Sequence, residues 1–222
     1  MSMIEKTVLR SESSLLATHK VLRNTYALLA LTLLFSAVTA GVSISVAAPY
    51  GVSTVSSLVA MGLLWFVMPR TANSSAGLWV IFLITGLLGF GLGPIIGHYL
   101  ALPNGGQIVM TALGGTGLIF LGLSGYVLTT RKDFTFIGGF LAVGMMVALV
   151  AIVANLFLHM PVFSLALSAL FILLMSGMIL YQTSEIIHGG ETNYIMATVT
   201  LYLAIYNLFI SLLQILGVAS DE

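Results

Sequence analysis

The sequence predicts an all-α protein that crosses a membrane seven times, because charges are scarce, uncharged tracts are long and turn signals fall inside them. Only 6% of the 222 residues are charged, whereas 59% are hydrophobic. A soluble domain carries about 25% charged residues, and this chain has too few polar side chains to cover a core in water. Nearly every helix must therefore present an apolar face to lipid.

The charged residues divide the sequence into four uncharged tracts: residues 24–69, 71–130, 134–184 and 192–220. A membrane span needs about 20 apolar residues, so each of the first three tracts has room for a helical hairpin and the last for one helix. Pro49, Pro103 and Pro161 mark a turn inside each long tract. We expect spans near residues 25–47, 52–68, 77–100, 106–129, 135–158, 162–181 and 193–217.

This division predicts a tail at residues 1–24, a helical bundle at 25–217 and a short C-terminal tail at 218–222. Because two crossings return the chain to its starting side, all the basic residues fall on one side. They are Lys6, Arg10, Lys20, Arg23, Arg70, Arg131 and Lys132. The positive-inside rule makes that side cytoplasmic, with the N-terminus inside and the C-terminus outside. A six-span arrangement with one re-entrant segment is the alternative, and it would place the C-terminus inside.

Small residues in spans three and four predict close helix packing. Gly89, Gly93 and Gly97 recur at every fourth position of span three, and Pro94 lies beside the middle one. Such spacing lets helix backbones approach closely in lipid, and a proline inside a helix removes a hydrogen bond and favours a kink. We interpret the span-four glycines as packing residues too; they are Gly114, Gly115, Gly117, Gly122 and Gly125.

Polar residues recur at every seventh position of span seven, namely Asn193, Thr200, Asn207 and Gln214. Ala197, Ala204 and Ser211 follow the first three by four positions, so one helix face is polar and small. Polar side chains in hydrocarbon turn towards protein or trapped water, so we expect the last helix to be central. The polar face serves either interhelical hydrogen bonds alone or a hydrated ion pathway along Thr200, Asn207 and Gln214. Glu185, in the loop predicted at 182–192, is a further candidate for that pathway.

No catalytic or metal site is predicted. The chain has no cysteine and no net charge, which argues against thiol chemistry and nucleic-acid binding. Residues 122–125 have the GxSG form of rhomboid intramembrane proteases, but a serine nucleophile needs a base within hydrogen-bond reach. The histidines fall in the tail, at the opposite membrane surface or in a glycine-flanked loop; they are His19, His98, His159 and His188. We therefore expect neither an enzyme nor a cofactor.

Several segments, spread over nearly the whole chain, resemble the Bax inhibitor-1 family. They are Thr85-Gly86 with Leu92-Gly93-Pro94, the stretch YVLTTRK at 126–132 with the following 136–139, and the last helix at 201–217. Within that family, residues 18–26 and 186–195 resemble a bacterial branch. That resemblance implies a seven-helix protein of the bacterial inner membrane.

The same resemblance implies that the protein binds the membrane AAA protease FtsH and slows the degradation of membrane proteins. It would act as a poorly processed substrate that the protease engages through the N-terminal tail. The basic residues of that tail are Lys6, Arg10, Lys20 and Arg23.

An ion leak is the alternative function, since other members of the family are described as pH-sensitive calcium leak channels. Their sensor is a pair of aspartates, which the resemblance aligns with Gln182 and Ala204 of this chain. Two close carboxylates can share a proton and titrate near neutrality, whereas glutamine and alanine cannot. Glu185 could replace one acid but not the pair.

We predict that this chain lacks a pH-gated calcium conductance, because both sensor carboxylates are missing. The measurement is calcium entry into dye-loaded liposomes that contain the purified protein. A calcium flux that switches between about pH 6 and about pH 8, the range in which such a pair would titrate, would contradict the prediction.

Overall fold

The computed structural model describes residues 3–158 and 160–219, and of residues 3–17, 156 and 158 it describes the backbone alone. This part of the chain is all-helical, and seven of its helices are long and apolar enough to cross a membrane. The seven-span prediction is confirmed. The helices are α1 Met3–Ser45, α2 Tyr50–Thr71, α3 Ala76–Leu100, α4 Gly105–Thr130, α5 Gly138–Leu158, α6 Pro161–His188 and α7 Tyr194–Ala219.

Helix α1 joins the predicted tail to the first span without a break. Its backbone is helical from Met3, and its membrane-spanning part begins at Thr18. The side chains of Lys6 and Arg10 lie outside the described residues, as do His159 and the C-terminal residues 220–222. The tail backbone is therefore a helical extension of α1.

Helix α6 ends at His188, seven residues later than predicted. The first seven residues of the loop expected at 182–192 are therefore helical. Gln182, Thr183 and Ser184 suggest a surface loop by composition, yet all three are buried inside the helix. Gly189 adopts a left-handed conformation with φ 80°, and the Gly190 N–H donates to the Glu185 carbonyl at 2.9 Å. This glycine C-cap ends the helix after His188.

Two glycines of α3 bring its backbone against α1. A Cβ atom at Gly89 would meet the carbonyl oxygen of Ser36, and one at Gly93 would meet the side chain of Ser43. A Cβ at Gly97 would meet nothing within 4 Å. Pro94 lies inside α3, and its carbonyl accepts a hydrogen bond from the Tyr50 hydroxyl at 3.3 Å. Close approach of the two helices therefore depends on Gly89 and Gly93.

Most glycines of α4, unlike Gly89 and Gly93 of α3, do not lie close to another helix. A Cβ atom at Gly114, Gly117, Gly122 or Gly125 would meet nothing within 4 Å, and one at Gly115 would lie 3.4 Å from Leu212. The interpretation of the first four as packing residues is therefore wrong within the described chain. Gly114 and Gly122 are exposed, whereas Gly117 lines a cavity that residues of α1, α3 and α7 also line.

Helix α7 packs against α1, α3, α4 and α6, which supports the interior position expected for the last helix. Its side chains Leu201, Leu208 and Leu213 are fully buried. The hydroxyl of the buried Tyr202 lies 2.7 Å from Ser36 Oγ on α1 and donates to the Thr85 carbonyl on α3 at 3.3 Å. This one side chain thus joins three helices.

We predict that Gly89→Ala destabilises the protein by about 1–3 kcal/mol, because the added methyl group meets a backbone carbonyl that cannot rotate away. Gly114→Ala is the matched control, since its methyl group meets nothing. The measurement is the thermal unfolding midpoint of each purified variant in the same detergent. Equal midpoints for the two variants would show that the α1–α3 contact is not close.

Candidate functional site

One end of the bundle holds every charged side chain that the structure describes. Asn193, just before α7, donates from Nδ2 to the carbonyl of Ala72 after α2 at 3.0 Å. The Phe134 N–H, just before α5, donates to Ser184 Oγ near the end of α6 at 2.9 Å. We call this the basic end. Its charged residues are Lys20, Arg23, Arg70, Arg131, Lys132, Asp133, Glu185 and Glu191.

Asp133 joins the start of α5 to the end of α6. Its Oδ1 accepts hydrogen bonds from the Thr135 N–H at 2.8 Å and from the Ser184 hydroxyl at 3.4 Å. His188 donates from Nδ1 to the Ser184 carbonyl at 2.9 Å. The hydrogen bonds from Thr135 lower the pKa of Asp133 below its usual 3.8, and the nearby His188 lowers it further. The Ser184 hydroxyl also lies 3.2 Å from His188 Nδ1. Because Ser184 lies between aspartate and histidine, the group connects the start of α5 to the end of α6.

The two family sensor positions lie in the interior. Gln182 on α6 and Ala204 on α7 are both buried, with 5% and 1% of their surface exposed. The Nε2 of Gln182 has no hydrogen-bond partner among the described residues. Neither position offers a group that gains or loses a proton, so the expected loss of the sensor pair stays a prediction from the resemblance.

Ser124 in the rhomboid-like segment contacts another hydroxyl group. Its Oγ lies 3.3 Å from Thr183 Oγ1 on α6, which in turn lies 3.4 Å from the Tyr26 hydroxyl on α1. None of the hydrogen bonds found at Ser124 involves a histidine. Within the described residues there is also no group of three His, Asp or Glu side chains that could hold a metal ion.

Glu185 faces the turn that follows α6. A Cβ atom at Gly190 would meet the Glu185 carboxylate, which places this carboxylate against the backbone of the turn. Glu191 lies in the same turn, where its Oε1 accepts from the Asn193 N–H at 2.7 Å. Both acids therefore belong to the connection between α6 and α7.

The polar residues of α7 form separate contacts and not one continuous row. Asn193 caps the helix, since its Oδ1 accepts from the Ile195 N–H at 2.9 Å. Thr200 and Asn207 donate to carbonyls of their own helix, at 3.1 and 2.8 Å. Gln214 accepts from the Ser168 hydroxyl on α6 at 2.8 Å.

Asn207 and Gln214 share a cavity of about 210 Å³ towards the end opposite the basic end. Its other polar lining side chains are Asn155, Ser164, Ser168 and Ser211. Thr200 and Glu185 do not line it. The α5 and α6 members were not predicted from the sequence. The spacing of Ser164 and Ser168, four residues apart on one helix face, was the available signal.

The basic residues of the tail region that the structure describes are exposed. Lys20 and Arg23 lie on the first two turns of the membrane-spanning part of α1. Leu128, near the end of α4, lines a cleft together with both of them. The tail thus leaves the bundle beside α4.

The family model described as "Inhibitor of apoptosis-promoting Bax1" matches residues 18–221. The chain belongs to the Bax inhibitor-1 family. The match covers all seven spans, so the family resemblance carried by the separate segments is confirmed.

Relatives within the Bax inhibitor-1 family match over almost their whole length. The chain is 55% identical over 210 residues, 95% of each chain, to "Modulator of FtsH protease YccA" of Escherichia coli K12. The same identity and coverage hold for "Inner membrane protein YccA" of Escherichia coli O6:H1. An "Uncharacterized membrane protein" of Vibrio cholerae is 48% identical over 207 residues, 93% of each chain. Our chain is therefore an integral membrane protein.

We predict that Asp133→Asn reduces the loss of stability at acid pH. Because the pKa of Asp133 is lowered in the folded state, its contribution is complete above 3.8 and is lost as the pH falls through the lowered value. The asparagine Oδ1 still accepts from Thr135 but does not titrate. The measurement is the unfolding midpoint from about pH 6 to about pH 3; parallel curves for wild type and variant would contradict the lowered pKa.

Proposed function

We propose that this chain is a non-catalytic modulator of membrane proteolysis that binds an FtsH-type AAA protease in the bacterial inner membrane. The observation that carries the proposal is the 55% identity, over 95% of both chains, to a protein named as a modulator of that protease. The absence of a base beside Ser124 among its contacts agrees with a binding role.

The orientation that fits this role has the basic end in the cytoplasm. The basic end holds all the lysine and arginine side chains that the structure describes: Lys20, Arg23, Arg70, Arg131 and Lys132. Short cytoplasmic loops of membrane proteins are rich in these two residue types. The N-terminus then lies inside, and the odd number of spans puts the C-terminus in the periplasm. An ATP-driven protease that works in the cytoplasm would meet the tail and not the opposite loops.

The tail is the part that we propose the protease engages. Residues 3–17 continue α1 beyond the membrane-spanning part, and at 1.5 Å per residue they extend about 22 Å. The spanning part of the same helix is held by the close contact at Gly89 and the Tyr202 hydroxyl. A protease could therefore grip the tail while the bundle resists extraction, which would keep the protease occupied.

We predict that deleting residues 2–17 abolishes modulation, because it removes the extension and leaves α1 intact from Thr18. The measurements are co-purification with the protease from solubilised membranes and the half-life of one of its membrane substrates in the same cells. Full-length protein should be captured and should lengthen the half-life; the deletion should do neither.

Deleting residues 220–222 is the matched control at the other end of the chain and should leave both measurements unchanged. Substrate protection that survives the deletion of residues 2–17 would show that the tail is not the engaged part. Loss of both capture and protection in the full-length protein would overturn the modulator function itself.

A further inference from the structure

A cleft opens at the basic end between α1 and α4. Its volume is about 640 Å³, and His19, Lys20, Leu22, Arg23, Tyr26 and Leu128 line it. The backbones of the two helices do not pack directly against each other. The rings of Tyr26 and Phe120, with centroids 6.0 Å apart, meet at the apolar side of the cleft.

The lining of this cleft is cationic at its mouth and apolar inside. Lys20 and Arg23 carry positive charge, and no acidic residue is among the lining side chains that the structure describes. Leu22, Tyr26 and Leu128 supply the apolar wall. A ligand that matches both parts carries a negative group joined to a hydrocarbon portion.

The depth of the cleft selects among such ligands. Lys20 and Arg23 lie within two turns of Thr18, where the spanning part of α1 begins, and Leu128 lies two residues before the end of α4. This is the level at which lysine and arginine reach the headgroup region while their stems stay in hydrocarbon. Basic pockets between transmembrane helices at this level bind the headgroups of anionic lipids.

We propose that the cleft between α1 and α4 binds one anionic phospholipid, with its phosphate between Lys20 and Arg23 and the first part of an acyl chain against Leu22, Tyr26 and Leu128. The arginine guanidinium donates paired hydrogen bonds to phosphate oxygens, and the lysine adds a point charge. The bound lipid would fill a gap that no described helix closes. The site does not depend on the proposed protease partner.

The test measures the thermal unfolding midpoint of the full-length protein in detergent against added phosphatidylglycerol, phosphatidylcholine or inorganic phosphate. Phosphatidylglycerol should raise the midpoint, because ligand binding to the folded state stabilises it. Phosphatidylcholine lacks net negative charge and phosphate lacks the chain, so neither should match it. In Lys20→Gln/Arg23→Gln, the concentration for half effect should rise about 25-fold, from about a factor of five for each of the two basic residues.

Two variants separate this cleft from general charge attraction. Arg70→Gln removes a positive charge from the same end of the bundle but lies outside the cleft, so it should retain the phosphatidylglycerol response. Leu128→Trp fills the apolar wall without changing charge and should weaken the response. An equal response to phosphatidylcholine or to phosphate, or a loss in Arg70→Gln as large as in the double variant, would overturn the proposal.

Discussion

The close contact of α1 with α3, joined to α7 through Tyr202, is the constraint on which the bundle depends. Lipid tails are as apolar as leucine, so helices in a membrane gain little from burying apolar side chains against one another. Their association needs close backbone approach and buried hydrogen bonds. Gly89 and Gly93 permit the approach, and the Tyr202 hydroxyl reaches Ser36 and Thr85. With α1, α3 and α7 fixed, α4 and α6 pack on α7, and α5 packs on α6.

The number and order of the helices could be predicted from the sequence, because charges and prolines must lie where the chain leaves the membrane. The end of α6 could not. Thr183 and Ser184 look like loop residues by composition, but they are buried because Tyr26 and Phe134 on other elements bond to their hydroxyl groups. Pairing across 50 or more positions of sequence is invisible to local patterns.

The candidate site was only partly predictable for the same reason. Glycine spacing shows that one face of a helix carries only small residues, but it does not show whether another helix packs against that face. A Cβ atom at Gly89 would meet α1, whereas one at Gly114 would meet nothing within 4 Å. The seven-residue period of α7 identified Asn207 and Gln214, but the cavity that they line also needs Asn155 from α5. Gln182 and Ala204 could be singled out through the family resemblance alone, since an alanine carries no sign of a lost aspartate.

The unbroken helix from Met3 to Ser45 has a mechanical consequence. A flexible linker would absorb the first strokes of a motor as slack, whereas a helix transmits tension along its axis at once. A pull on residues 3–17 would thus load the contact at Ser36 directly, where α1 must slide past Gly89 and shed the Tyr202 hydroxyl. Helix α5 packs on α6 and has no packing contact with α1 within the described part of the chain, so the force would reach it last. The contacts of α1 with α3 and α7 would therefore have to break before the outer helices separate.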